Sequence, residues 1–115
     1  MNSNELLTVI TSIGCLLIEY GAEIYRVEET IYRIAAAYGY NINGKSVEVF
    51  AIPTSLIITV DGGDGFPMTR TKRIISRRTN LDRVDKINNL SRFICHEKPN
   101  IKIILKHIDE IKRRK

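Results

Sequence analysis

The chain has 115 residues, 43% hydrophobic and 27% charged, enough for one compact core and too little for two. Its net charge of +5 is unevenly laid out: residues 1–60 hold 3 Lys/Arg against 6 Asp/Glu and residues 61–115 hold 15 against 7, so an acidic front half should attract a basic rear half. Cys15 and Cys95, each inside an apolar helical pattern, exclude a disulfide framework and a cysteine zinc site, and read as buried free thiols of a reducing compartment.

The first 21 residues, "MNSNELLTVITSIGCLLIEYG", lack the basic leader and small-residue cleavage site of a signal peptide. Their apolar run is broken by Thr8, Thr11, Ser12 and Gly14 and stops at Glu19, short of the roughly 20 apolar residues that cross a bilayer. A soluble first helix is predicted up to Tyr20, capped by Ser3 or Asn4, with Leu6, Ile10, Ile13 and Leu17 on one stripe and Gly21 as its stop. A second helix follows at once, with Ile24, Val27, Ile31, Ile34 and Tyr38 inward and Gly39 at its end, and the short link predicts an antiparallel pair.

From Ser46 the period changes to two. "SVEVFAI" alternates, Pro53 interrupts, "SLIITV" is β-branched, "DGGDG" is a turn cluster and "PMTRTKRI" alternates again, which together predict a hairpin or three-stranded meander. Helical spacing then returns twice, first behind Thr79 or Asn80 with Leu81, Val84, Ile87, Leu90 and Ile94 inward. Beyond Pro99 it returns with Ile101, Ile104, Leu105, Ile108 and Ile111 inward, ending in "KRRK". The predicted class is α+β: two N-terminal helices, a small antiparallel sheet of two to three strands, and two C-terminal helices in one domain.

On the second helix Glu23 and Glu28 stand at the two edges of the apolar face, while Arg26, Glu29 and Arg33 form an ordinary solvated ladder. A carboxylate at a seam is partly desolvated and needs a cation or hydrogen-bond donors. The donors on offer are in "TRTKRIISRR", so Glu23 or Glu28 is expected to pair with Arg70, Arg73, Arg77 or Arg78 and tie the second helix to the third strand. Other constellations carry less. "DGGDG" lacks the further ligands and terminal Glu of an EF-hand, and Cys95, His96 and His107 lack zinc spacing. No nucleotide loop or nucleophile elbow is present, so no metal, no cofactor and no catalytic residue is expected.

"GAEIYRVEETI", "AIPTSLIITV", "TRTKRI" and "RRTNLDRVDKINNLSR", in this order, resemble the amino-terminal soluble domain of the threonine/serine exporter family, over roughly Leu6 to Ile111. The motif residues carried over are Gly21, Glu23, Tyr25, Arg26, Glu28, Pro53, Thr54, Thr71, Arg73, Asn80 and Leu81. With Arg78 from the basic segment, they imply a candidate polar site of Glu23, Tyr25, Arg26, Glu28, Thr54, Thr71, Arg73, Arg78 and Asn80 between helix and sheet.

The resemblance implies a cytoplasmic accessory or regulatory domain without catalysis, on the inner face of the cell membrane. Its partners would be a transmembrane domain of the same or a partner protein, the anionic membrane surface at its basic end, and a second copy of itself. The exported cargo would be threonine and serine or a dicarboxylate. Two competing readings are a basic nucleic-acid-binding module and a small hydrolase. Scarce aromatic residues in the basic half argue against the first, and the missing nucleophile and base pair argues against the second.

Overall fold

In the computed structural model, which describes residues 1–113, the chain runs α1 (Ser3–Glu19), α2 (Ile24–Ala37), β1 (Ser46–Ile52), β2 (Ser55–Asp61), β3 (Met68–Arg73), α3 (Leu81–Glu97) and α4 (Ile101–Arg113). This is the α+β order that the change of period foretells. The strands form an antiparallel meander, β1-β2-β3, in which Phe50 lies opposite Ile57 and Ile57 opposite Thr71. Val47, Ala51, Leu56, Ile58, Val60 and Ile74 are buried on the inner face, whereas Glu48, Phe50, Ile52, Thr69 and Thr71 are exposed.

The cap of α1, Asn2, stands one residue before the earlier of the two expected caps. Asn2 Oδ1 accepts from the Glu5 N–H at 2.8 Å and Glu5 Oε1 accepts from the Asn2 N–H at 3.1 Å, a reciprocal capping box that fixes the register. Ser3 is thereby freed to hydrogen-bond the Tyr40 hydroxyl at 2.6 Å. The greater difference is one of position. Leu6, Leu7, Val9, Ile10, Ile13, Leu17 and Ile18 are all at most 2% exposed, so α1 is buried nearly all round rather than along one stripe. It packs against α2, the sheet, α3 and α4, and is the element that the rest of the fold encloses. Gly14 allows the close approach, since a Cβ there would stand 2.8 Å from Leu56 Cδ2 and 2.9 Å from Ile31 Cδ1.

α2 is the amphipathic helix expected, with Val27, Ile31, Ile34 and Ala35 buried. Two tyrosines fasten it: the Tyr32 hydroxyl accepts from the Val49 N–H of β1 at 3.2 Å, and the Tyr38 hydroxyl donates to the Pro99 carbonyl at 2.7 Å. α3 is capped by Asn80, whose side chain accepts from the Arg83 N–H. It ends at Lys98 in the left-handed conformation, immediately before Pro99. Leu81 and Leu105, both expected inward, are instead exposed. Leu81 is the first helical residue after the cap. Leu105 follows Ile104, which is buried with Ile108, and so lies one step of about 100° off their stripe.

Between β2 and β3 the "DGGDG" cluster is a turn. Asp61 Oδ1 accepts from the Gly63 N–H at 2.8 Å and Asp64 Oδ1 from the Phe66 N–H at 3.0 Å, so each aspartate supports its own loop. Among the described residues no helix is long and apolar enough to cross a membrane, and no cluster of His, Cys, Asp and Glu could hold a metal ion. Both cysteines are free and half-buried.

Candidate functional site

The expected ion pair across the α2 seam does not form among the described residues. Glu23 is the exposed N-cap of α2 and its side chain makes no cap hydrogen bond; Glu28 is half-buried, and neither carboxylate meets an arginine within 4.0 Å. Of the ladder on the outer face, Glu29 and Arg33 pair at 2.8 Å. Arg26 turns instead to Tyr25, donating from Nε to the phenol oxygen at 3.3 Å with its guanidinium 5.7 Å from the ring centroid.

Two of the expected arginines, Arg70 and Arg77, bond α1 instead. Arg70 Nη1 donates to Thr8 Oγ1 at 2.9 Å and Nη2 to Asn4 Oδ1 at 3.5 Å, fixing β3 to the first half of α1. Arg77 Nε donates to the Ile18 carbonyl at 3.3 Å, the Arg78 N–H to the Glu19 carbonyl at 2.7 Å and the Asn80 N–H to the Tyr20 carbonyl at 2.9 Å. Arg83 stacks on the Tyr20 ring at 5.3 Å and donates to its hydroxyl at 3.3 Å. A helix C-terminus offers unpaired carbonyls and the negative end of the macrodipole, and the chain around residues 77–80 crosses it with N–H donors and cations. The acidic and basic halves are therefore joined through carbonyls and hydroxyls of α1, not through the carboxylates of α2.

The same crossing accounts for part of the quoted motifs. Gly21 has φ +91°, and a Cβ there would lie 3.2 Å from Thr79 Cα, so the "GAE" glycine meets the crossing segment. Asn80 both caps α3 and donates to Tyr20. Replacing Asn80 with alanine is expected to cost about 1 kcal/mol through the cap, read as a lowered urea midpoint with an unchanged slope.

Two hollows adjoin this junction. One, of about 360 Å³, lies at the end of α1 and brings together Arg78 and Asn80 of the expected site with Glu19, Tyr20, Ser76 and Arg83. The other, of about 440 Å³, lies between α1, β3 and α4. Its helical wall carries Thr8, Thr11, Ser12, Cys15 and Glu19, at intervals of three and four residues that put them on one face. Its strand wall carries Arg70, Lys72 and Arg73, and α4 adds Ile108 and Lys112. Glu19 borders both hollows; of the expected site residues, Arg73 lines the one and Arg78 and Asn80 the other.

The remaining expected residues lie elsewhere. Tyr25 and Arg26 are exposed at the start of α2, and Thr54 is in the β1–β2 turn, where its carbonyl accepts from the Ile74 N–H at 2.9 Å. Thr71 alternates with Arg70 and Lys72 and faces the outer side of the sheet. The polar wall on α1 went unrecognised in the sequence. Its signal was there in Thr8, Thr11, Ser12, Cys15 and Glu19, which read only as interruptions of an apolar run.

The larger cleft is electropositive and its donors are mostly uncommitted. Arg70 is held by Thr8 and Asn4, but Ser12, Lys72, Arg73 and Lys112 make no hydrogen bond or ion pair among the described residues. Thr11 is 2% exposed, and its Oγ1 is buried without a hydrogen-bond partner. Burial pushes the Cys15 thiol up to about 11; Glu19 adds to the shift and Lys72 opposes it. Cys15 is thus a protonated thiol near neutrality rather than a primed nucleophile. In a Cys95→Ser background, iodoacetamide should label Cys15 slowly at neutral pH and about tenfold faster per unit rise until pH approaches the thiol's own value of about 11.

Comparison with known proteins bears on what this arrangement serves. Residues 8–115 match the family model described as "Putative threonine/serine exporter". No curated protein and no solved structure matches the chain. The matched span takes in both hollows and the fold from Thr8 of α1 onward. The chain belongs to the threonine/serine exporter family.

Proposed function

We propose that this chain is a cytoplasmic accessory domain of a membrane transporter, and that it regulates export through the cleft between α1, β3 and α4. Membership of the family gives it a role in threonine/serine export, and that family is one of transporters rather than enzymes. The observation that carries the regulatory reading is the cleft itself: a polar hollow of about 440 Å³ walled by the central helix, a strand edge and the last helix. An occupant there touches three elements at once, so its binding energy can bias how they sit.

The domain's partner in this reading is a transmembrane bundle, in the same chain or in a companion protein. The C-terminal end of α4 carries Lys112 and Arg113 and would face an anionic leaflet, worth about 1 kcal/mol per nearby cation; Arg114 and Lys115 of the same basic end lie outside the described residues. Exposed Ile103 and Leu105 on α4 offer a strip for a second copy.

The test is efflux from threonine-loaded cells carrying the chain with its membrane partner. Lys72→Glu with Arg73→Glu should cut threonine and serine efflux by about tenfold while membrane levels of the protein hold. Unchanged efflux in that variant removes the regulatory role of the cleft. Small dicarboxylates are the competing cargo in the same assay, and efflux of these alone would displace the amino acids as its substrates.

A further inference from the structure

We infer that the α1/β3/α4 cleft is a binding site for a phosphate group, and that its occupant is a phosphate-bearing regulator rather than the exported amino acid. The inference rests on the cleft being the domain's ligand site. Charge is the first reason. Arg70, Lys72, Arg73 and Lys112 border the hollow against the single carboxylate of Glu19. A zwitterion carries no net charge to match that excess, whereas a phosphomonoester carries about −1.5 to −2 near neutrality.

Donor geometry is the second reason. The free donors come from three walls: Thr11 and Ser12 on α1, Lys72 and Arg73 on β3, and Lys112 on α4. A carboxylate presents two coplanar oxygens, while a phosphate presents three that diverge and so can reach separate walls. The third reason is Thr11. Its hydroxyl is buried with no partner, a cost that a bound oxyanion would remove by accepting from Oγ1. A salt-loving surface of scattered lysines would not contain such a group.

The phosphate can come from a lipid headgroup or from a soluble metabolite, and two arms separate them. In the first, the 115-residue chain is titrated with inorganic phosphate at low ionic strength, with amide shifts followed by NMR. Saturable shifts at Thr11, Ser12 and Lys72 are expected, about tenfold weaker in Thr11→Val and weaker still in Lys72→Gln with Arg73→Gln. Thr11→Val keeps shape and charge, so its melting temperature should hold or rise, and a fold defect is thereby distinguished from a lost donor. In the second arm, phosphatidylcholine vesicles doped with phosphatidic acid are compared with vesicles doped with phosphatidylserine. Cleft-dependent pelleting on phosphatidic acid alone assigns the phosphate to a lipid, and its absence alongside cleft shifts assigns it to a soluble molecule.

The proposal is overturned if neither probe gives a saturable effect, if Thr11→Val binds phosphate as the parent does, or if threonine outcompetes phosphate. No phosphate binding with cleft-dependent efflux intact would sink this inference alone. Phosphate binding with efflux indifferent to the cleft would instead sink the regulatory reading.

Discussion

Leu17→Ala is expected to lower the free energy of unfolding by about 2–5 kcal/mol, enough to consume much of the roughly 5–15 kcal/mol that holds a domain of this size. Leu17 is 1% exposed on α1 and belongs to the single core cluster that α1 shares with α2, the sheet, α3 and α4. Removing its side chain leaves a cavity that no one neighbour can fill, because the neighbours belong to different elements. Leu105→Ala is the matched control: Leu105 is 38% exposed on α4, and its loss should stay within about 0.5 kcal/mol. Urea denaturation of the two variants measures the contrast. Similar losses in both would mean that α1 is an outer helix after all.

Gly21→Ala should cost about 2–4 kcal/mol, from strain of about 1–3 kcal/mol at positive φ and the weakening of a backbone hydrogen bond worth about 1. The residue has φ +91° and sits against Thr79 Cα, so an added methyl strains the backbone and pushes the crossing segment off α1. The Arg78 N–H to Glu19 carbonyl and Asn80 N–H to Tyr20 carbonyl bonds lie on either side of that contact. Gly39→Ala is the comparison, for Gly39 also has positive φ, +87°, but has nothing within 4 Å of an added Cβ. Only strain is felt there. If Gly21→Ala is no worse than Gly39→Ala in the same denaturation series, the packing of the crossing segment on α1 contributes nothing.

Much of the secondary structure was legible because it is local. The 3.6-residue spacing of Val27, Ile31 and Ile34 and the two-residue alternation of Val47 to Ile52 depend only on near neighbours, and both appear where the spacing put them. The caps were legible to within a residue or two; Asn80 was one of two candidates, while Asn2 was missed because its partner Glu5 was not read as part of a capping box. Two residues of the recognised motifs, Gly21 and Asn80, meet at the end of α1, where Gly21 lies against Thr79 and the Asn80 N–H donates to the Tyr20 carbonyl.

The candidate site was legible only in part, and for a reason that sequence cannot remove. Residue types told that cations in "TRTKRIISRR" would seek oxygen, and Arg70 and Arg77 do. Which oxygen they found depended on which helix stood at the centre of the fold, and that is a property of packing between segments far apart in the chain. Once α1 is enclosed, its Asn4 and Thr8 side chains and its C-terminal carbonyls are the acceptors that β3 and the segment at residues 77–80 meet, leaving Glu23 and Glu28 without those donors. The sequence by itself determined the α+β order, a small antiparallel sheet of two to three strands, and the family. Only the tertiary structure decided that the polar site lies on α1 rather than α2, because periodicity is set within a helix but partner choice is set by which surfaces are brought together.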